Sequence, residues 1–204
     1  MTPFVSIALM VAAIVPAQLG GGQSGMSTGT PATNLRPLAE LRAYGACVAR
    51  TFRKDALAIM ATAPDSPEER KVLKRTMYGE RSSCMFGGDR IAFSSIYARG
   101  VVAEGLLRAD GVPEEYRLPA PAASEVHDLH GAARCYVVGH RNQAAAVLQT
   151  PPGSAEENKA VAAIWNDFRA CMPGFTVRMN APWIRFLLAE ASLRLAPDAR
   201  GSGL

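Results

Sequence analysis

The chain has 204 residues, of which 49% are hydrophobic, 20% charged and 7% aromatic, and its net charge at pH 7 is +4. This length allows one medium domain, or two small halves with a shared core, and excludes several large domains. Few aromatic residues and many alanines favour helices over a β-sandwich. Beyond the N-terminal region, no segment is long and apolar enough to cross a membrane.

The N-terminal segment has the features of a secretory signal. Residues 4–15 are almost wholly apolar, but this run is too short to span a bilayer comfortably. Val15-Pro16-Ala17 resembles a signal-peptidase site, so residues 1–17 are predicted to be a signal peptide cleaved after Ala17. No Lys or Arg precedes the apolar run, which leaves a cytosolic protein with an apolar tail as the alternative. The prediction places the mature chain in the periplasm or outside the cell.

Two segments are predicted to be disordered because they cannot bury enough apolar surface to offset the entropy lost on ordering. The first is a leader at residues 18–36, rich in Gly, Ser, Thr, Gln and Pro, and the second is a tail at residues 197–204. The folded part therefore lies between them.

Residues 37–108 predict three helices. Apolar residues recur at helical spacing from Pro37 to Ala61, and Pro64 then stops the first helix. Ser66 and Glu69 form a capping box that begins the second helix. Ser94 is a good N-cap for the third, as is Asn180 at the aligned position of the second repeat, and Gly87 and Gly174 lie where the second helix of each repeat would end.

The same pattern returns in residues 125–196. With Cys47 aligned on Cys135, the capping box recurs at residues 154–157, and after two one-residue slips residues 97–108 align with 183–194. Duplication of this kind predicts architecture strongly. We expect an all-α fold of two tandem three-helix repeats, joined by a linker at residues 109–124. The repeats are expected to pack on each other, because one alone is too small to bury its apolar faces.

Each repeat contains two of the four cysteines. An even number without a C-x-x-C pair fits disulfides of an oxidising compartment better than zinc. Four cysteines allow three pairings, and the duplication favours Cys47–Cys84 and Cys135–Cys171. In a helical hairpin these positions lie about 21 Å and about 26 Å from the turn, so one disulfide can clamp the open end of each repeat.

Glu104 and Glu190 are the strongest candidates for a site. They are aligned in the two repeats, and each falls within the apolar stripe of its third helix, where a carboxylate needs a partner or a shifted pKa. One interpretation is a structural ion pair; the other is a pair of carboxylates that bind a cation or a polar ligand. The candidate partners are the repeated arginines Arg108, Arg194, Arg53 and Arg141.

The three histidines do not predict a metal site. His127 and His130 have helical spacing, with His140 further along, but no H-E-x-x-H motif accompanies them and the first repeat has no matching histidines. Solvated or capping roles are favoured, and no metal or cofactor is predicted.

A basic stretch lies on the second helix of the first repeat. It contains Arg70, Lys71, Lys74, Arg75 and Arg81, whereas the second repeat retains only Lys159 there. A solvated helix face is favoured over a surface for phosphate, anionic lipid or an acidic protein. Nucleic acid is not expected as a partner of an exported protein.

Motifs for catalysis are absent: there is no G-x-S-x-G, Walker loop or dinucleotide fingerprint. The leading expectation is an exported, non-enzymatic helical binding or interaction module whose ligand the sequence does not specify. The first alternative is a cation-binding protein or enzyme that uses Glu104 and Glu190. The second is an envelope-surface protein that binds anionic lipid or polysaccharide through residues 70–81. Partners therefore remain open between an envelope protein and an anionic surface.

Overall fold

A computed structural model describes residues 36–78, 83–84, 95–109, 111–122, 126–172, 174 and 177–195. The predicted signal peptide, nearly all of the predicted leader and the predicted tail lie outside these residues. So do Ser94 and Gly87, proposed as the cap of the third helix and the end of the second.

Eight α-helices and short 3₁₀ segments occur in the described residues. In the first half, α1 is Arg36–Thr51, α2 is Arg53–Ala61, α3 is Pro67–Tyr78 and α4 is Ser95–Arg108. A 3₁₀ turn, Glu114–Tyr116, follows, and the second half contains α5 Leu129–Gly139, α6 Arg141–Gln149, α7 Ala155–Ala170 and α8 Ala181–Arg194. The described part has no strand beyond one isolated bridge between Leu118 and Leu195. The all-α prediction is confirmed, with four helices in each half rather than the three expected.

The extra helix in each half arises from a break that the periodicity did not reveal. Phe52 (φ −123°, ψ 45°) separates α1 from α2, and His140 (φ −135°, ψ 39°) separates α5 from α6. At the first break Phe52 still donates its backbone N–H to Val48, and its carbonyl accepts from Ala56. Because helical hydrogen bonds continue across the break, the apolar spacing continues too, and one predicted helix becomes two.

Both capping boxes form. The Glu69 N–H donates to Ser66 Oγ at 3.0 Å, and the Glu157 N–H donates to Ser154 Oγ at 3.1 Å. Each glutamate carboxylate accepts a bond from the backbone N–H of the residue before its serine. The first turns of α3 and α7 are therefore satisfied by neighbouring residues, as their spacing predicted.

Helix ends in the second half follow the sequence only in part. Asn180 caps α8, since its Oδ1 accepts from the Trp183 N–H at 2.9 Å. Gly174 has the left-handed conformation that favours glycine (φ +82°), but it lies three residues beyond Cys171, where α7 ends, so it does not cap the helix directly.

The predicted disulfide pairing is confirmed. Cys47–Cys84 has a Cα–Cα distance of 5.6 Å, and Cys135–Cys171 one of 5.9 Å. The first ties α1 to the segment after α3, and the second ties α5 to the end of α7. All four cysteines are used in these bonds.

Helices α4 and α8 form the centre of the molecule. Residues 97–106 of α4 are all buried, and α8 is buried along most of its length. α4 packs against α1 and α8, and α8 packs against α4 and α5. Phe186, Ala189 and Leu193 of α8 belong to the apolar cluster of the first half, so the two halves share a core. No helix in the described ranges has the length and apolar character needed to cross a bilayer.

Glycines let α4 approach its neighbours closely. A Cβ added at Gly100 would lie 2.0 Å from the Phe186 Cβ on α8, and one added at Gly105 would lie 2.4 Å from the Gly45 carbonyl oxygen on α1. Real atoms do not approach so closely, so these two positions require the absence of a side chain.

Gly100→Ala is therefore expected to lower the free energy of unfolding by about 1–3 kcal/mol, because α4 and α8 must move apart. Urea denaturation followed by circular dichroism measures the change. The matched control is Gly139→Ala, where an added Cβ meets nothing within 4 Å. If both variants unfold at the wild-type urea midpoint, the result would contradict the close packing of α4 on α8.

Candidate functional site

Glu190 is held by three groups in the interior. Its side chain is buried in the middle of α8. Arg99 of α4 donates to it from Nη2 at 2.6 Å and from Nε at 3.1 Å. The Nδ1 of His130 lies 2.9 Å away, and Arg194 donates at 3.3 Å from one turn further along α8. The carboxylate is thus fully engaged by side chains of α4, α5 and α8.

Arg99 has no exposed surface and uses its remaining donors on the first half. Its Nη1 donates to the Ile59 carbonyl at 2.9 Å, the Thr62 carbonyl at 3.2 Å and the Glu69 carboxylate at 3.0 Å. The carbonyls lie at the C-terminus of α2, where a cation is favourable, and Glu69 belongs to the capping box of α3. One guanidinium therefore joins the α2–α3 turn to α8 of the other half.

The second half has the same arrangement with the halves exchanged. Arg185 of α8, also fully buried, donates to Glu104 of α4 from Nη2 at 2.8 Å and from Nε at 3.0 Å. Its Nη1 donates to the Val147 and Thr150 carbonyls at 3.1 and 3.0 Å and to Glu157 at 3.2 Å. The two contacts are reciprocal, because Arg99 aligns with Arg185 and Glu190 aligns with Glu104.

The groups around Glu190 form a first cluster and those around Glu104 a second cluster, and the two clusters differ at one position. Arg42 of α1, which aligns with His130 of α5, places its Nε 3.1 Å from Glu104. Arg108 completes the set of groups around Glu104. In the described part of the chain the His130 Nε2 and the Arg194 Nε are buried without a hydrogen-bond partner.

Burial and the neighbouring charges shift the pKa values of several of these groups in opposite directions. Burial by itself raises the pKa of Glu190, but Arg99 and His130 outweigh it and hold that pKa well below the ordinary carboxyl value. Burial lowers the pKa of Arg99 and of Arg185, yet their glutamate partners more than compensate, so both pKa values are raised. Burial prevails for Arg42 and Arg194, whose pKa values are lowered.

Only some of the arginines that the sequence predicted as partners of Glu104 and Glu190 lie beside them. Arg108 pairs with Glu104 and Arg194 pairs with Glu190, each four residues apart as expected. Arg53 instead donates to the Gly111 carbonyl. The sequence analysis did not predict the principal partners of the two glutamates, Arg99 and Arg185. It also did not predict that these arginines bind the capping-box glutamates Glu69 and Glu157. The arginines could have been found, because they occupy aligned positions within the two apolar stripes.

The histidines are separated. His127 is exposed before α5, His130 contacts Glu190, and His140 stacks on Tyr136 with ring centroids 4.5 Å apart. Nowhere in the described ranges do three or more His, Cys, Asp or Glu side chains form a group able to hold a metal ion.

The basic stretch lies on the outside of α3. Arg70, Lys71, Lys74 and Arg75 are all exposed, whereas Arg81 falls outside the described residues. Arg75 is engaged by Asp55 of α2, with Nη2 and Oδ1 3.2 Å apart. The remaining cations, on the first two turns of α3, face solvent.

A groove of about 430 Å³ opens beside the second cluster. Its walls come from the C-terminal half of α4, from α6, and from single residues of α5 and α8. Leu107 and Leu148, both half-buried, provide apolar surface. Arg108 and Arg141 provide hydrogen-bond donors, and Glu104 borders the groove as well. The groove thus combines an apolar wall with two guanidinium groups.

In comparisons with known proteins, the chain matches no protein family, no curated protein and no solved structure. The functional assignment therefore depends on the geometry of the groove and of the two clusters.

Proposed function

We propose that the chain is an exported, non-enzymatic helical binding module, built from two tandem repeats, whose ligand site is the groove between α4, α6 and α8. The observation that carries this proposal is the groove itself, because it joins an apolar wall to the donors of Arg108 and Arg141. Its volume lies within the range of about 300–1,000 Å³ that is common for ligand sites.

Duplication is supported by matching contacts. The aligned arginines Arg99 and Arg185 each reach a glutamate of the opposite half, and both capping boxes form. We infer repeats of four helices each, in place of the three expected from spacing.

Export is supported by the disulfides. Disulfide bonds such as these two are typical of the periplasm or the extracellular space, where they persist. We propose this location, with the signal at residues 1–17 as the route.

Small molecules that carry a hydrogen-bond acceptor next to an apolar group are expected to bind in the groove. In a fragment screen by protein NMR, they should shift the amide signals of Leu107, Ala145 and Gln149, which line it. Ala145→Trp should abolish the shifts by filling the space. Ala146→Trp is the matched control, because Ala146 is exposed on the same helix and does not line the groove.

A screen in which no fragment shifts these signals would reject the groove as a ligand site. Shifts that survive Ala145→Trp would also reject it, since the fragments would then bind elsewhere.

The cation-binding alternative receives little support from the geometry. Glu104 is surrounded by Arg42, Arg108 and Arg185, and these positive charges oppose a metal ion. Stoichiometric metal in the purified protein would restore this alternative. Glu104→Gln with Glu190→Gln would then separate the roles, since loss of folding without loss of metal would leave a structural function only.

The exposed cations of α3 favour a second candidate function, binding to an anionic surface such as a membrane or polysaccharide. Binding to anionic vesicles that weakens steeply with salt, and that is lost in Lys71→Glu/Lys74→Glu, would favour it. Absence of binding at low salt would remove it.

A further inference from the structure

The surface of the first half that corresponds to the groove is covered by the chain itself. Arg53 aligns with Arg141, and its Nη2 donates to the carbonyl of Gly111 at 2.9 Å. The following 3₁₀ turn lies against α2. Residues 111–118 therefore run across the first half as an attached segment, which we call the covering segment.

The far end of the covering segment is anchored on α8. The Leu118 N–H donates to the Arg194 carbonyl at 2.6 Å, and Arg117 donates to the Leu195 carbonyl at 3.2 Å. Between these anchors Val112 is buried in the apolar cluster that contains Leu193. The segment is thus held at three points. The Gly111 carbonyl accepts from Arg53, Val112 packs into the apolar cluster, and Arg117 and Leu118 donate to carbonyls at the end of α8.

Burial shows what the covering segment does. Leu193 is 3% exposed and Arg194 is 9% exposed beneath it. Their aligned residues in the groove are different: Leu107 is half-buried, and the Arg108 side chain is 42% exposed. Within the described residues nothing covers the groove in the same way.

We propose that the groove binds an extended polypeptide segment of a partner protein, which repeats the contacts of the covering segment. A backbone carbonyl of that segment accepts from Arg141, and a valine-sized apolar side chain contacts Leu107 and Leu148. An arginine carries five N–H donors, so Arg141 can hold this carbonyl in addition to its contacts within the chain. This inference rests on the groove being a ligand site and specifies the class of ligand.

The probe is a fluorescent decapeptide with the sequence of residues 109–118, Ala-Asp-Gly-Val-Pro-Glu-Glu-Tyr-Arg-Leu. Fluorescence polarisation against the full chain is expected to show saturable binding at one site. Arg141→Ala should weaken binding by ~10-fold or more, since a charge-assisted hydrogen bond is lost. Ala145→Trp should block binding, and the peptide that carries Val112→Asp should not bind.

Two controls fix the location. Ala146→Trp should bind like the wild type, and so should Arg53→Ala, which removes the corresponding guanidinium from the covered side. Affinity that is lost with Arg53→Ala and kept with Arg141→Ala would overturn the proposal, because the peptide would then be replacing the covering segment.

The remaining outcomes are also decisive. No binding of the peptide, in a protein whose groove does bind fragments, overturns the polypeptide proposal and leaves the ligand site intact. Failure of both peptide and fragments removes the ligand site as well. Binding only after deletion of residues 196–204 would assign the groove to the chain's own tail and overturn the partner assignment.

Discussion

Replacing Arg99 with methionine is expected to lower the free energy of unfolding by about 3–5 kcal/mol. The guanidinium is fully buried and contacts the carboxylates of Glu190 and Glu69. Without it, two buried carboxylates and the carbonyls at the end of α2 lose their donor, and solvent cannot replace it. Urea denaturation at pH 7, followed by circular dichroism, measures the loss.

The matched control is Arg108→Met. Arg108 also contacts a buried glutamate, but its side chain is 42% exposed, so solvent screens the pair and the expected cost is below about 1 kcal/mol. A double-mutant cycle of Arg99→Met with Glu190→Gln should show strong coupling, because the two groups are in direct contact. Equal, small costs for Arg99→Met and Arg108→Met would contradict a structural role for the buried cluster.

Removing the first disulfide by Cys47→Ala/Cys84→Ala is expected to cost about 3–4 kcal/mol. The bond joins positions 37 residues apart, and a loop of that size gains a corresponding entropy in the unfolded chain. Cys84 is fully buried, so alanine also leaves a small void there. The midpoint of urea unfolding should fall, and reductant should have a similar effect on the wild-type protein.

The pair Cys135→Ala/Cys171→Ala provides an internal comparison, since its loop has nearly the same length, 36 residues. The two double variants should lose similar stability. An unchanged unfolding midpoint in either one would mean that its disulfide does not clamp the hairpin in solution.

Local sequence signals predicted helix starts well. The capping boxes of α3 and α7 and the Asn180 cap of α8 form as their spacing indicated. These features depend on residues three positions apart, so the chain alone contains the required information. The disulfide pairing was also predictable, because duplication reduced three possible pairings to one.

The breaks at Phe52 and His140 were not predictable from apolar spacing, since the helical period continues through them. The candidate site was predicted only in part for a related reason. Spacing on one helix placed Arg108 beside Glu104, four residues away. The stronger contact of Glu104 is with Arg185, and a separation of 81 residues leaves no periodic trace.

The sequence by itself determined the helical class, the capped helix starts, the cysteine pairs and the presence of a carboxylate within each central apolar stripe. Each of these follows from spacing over a few residues or from comparison of one half with the other. Only the tertiary structure decided that Arg99 meets Glu190 while Arg185 meets Glu104, because this exchange requires α4 and α8 to pack against each other. It also decided that the covering segment buries one face, because a single linker can cross only one of two similar surfaces, and within the described residues the groove beside Arg141 has no corresponding cover.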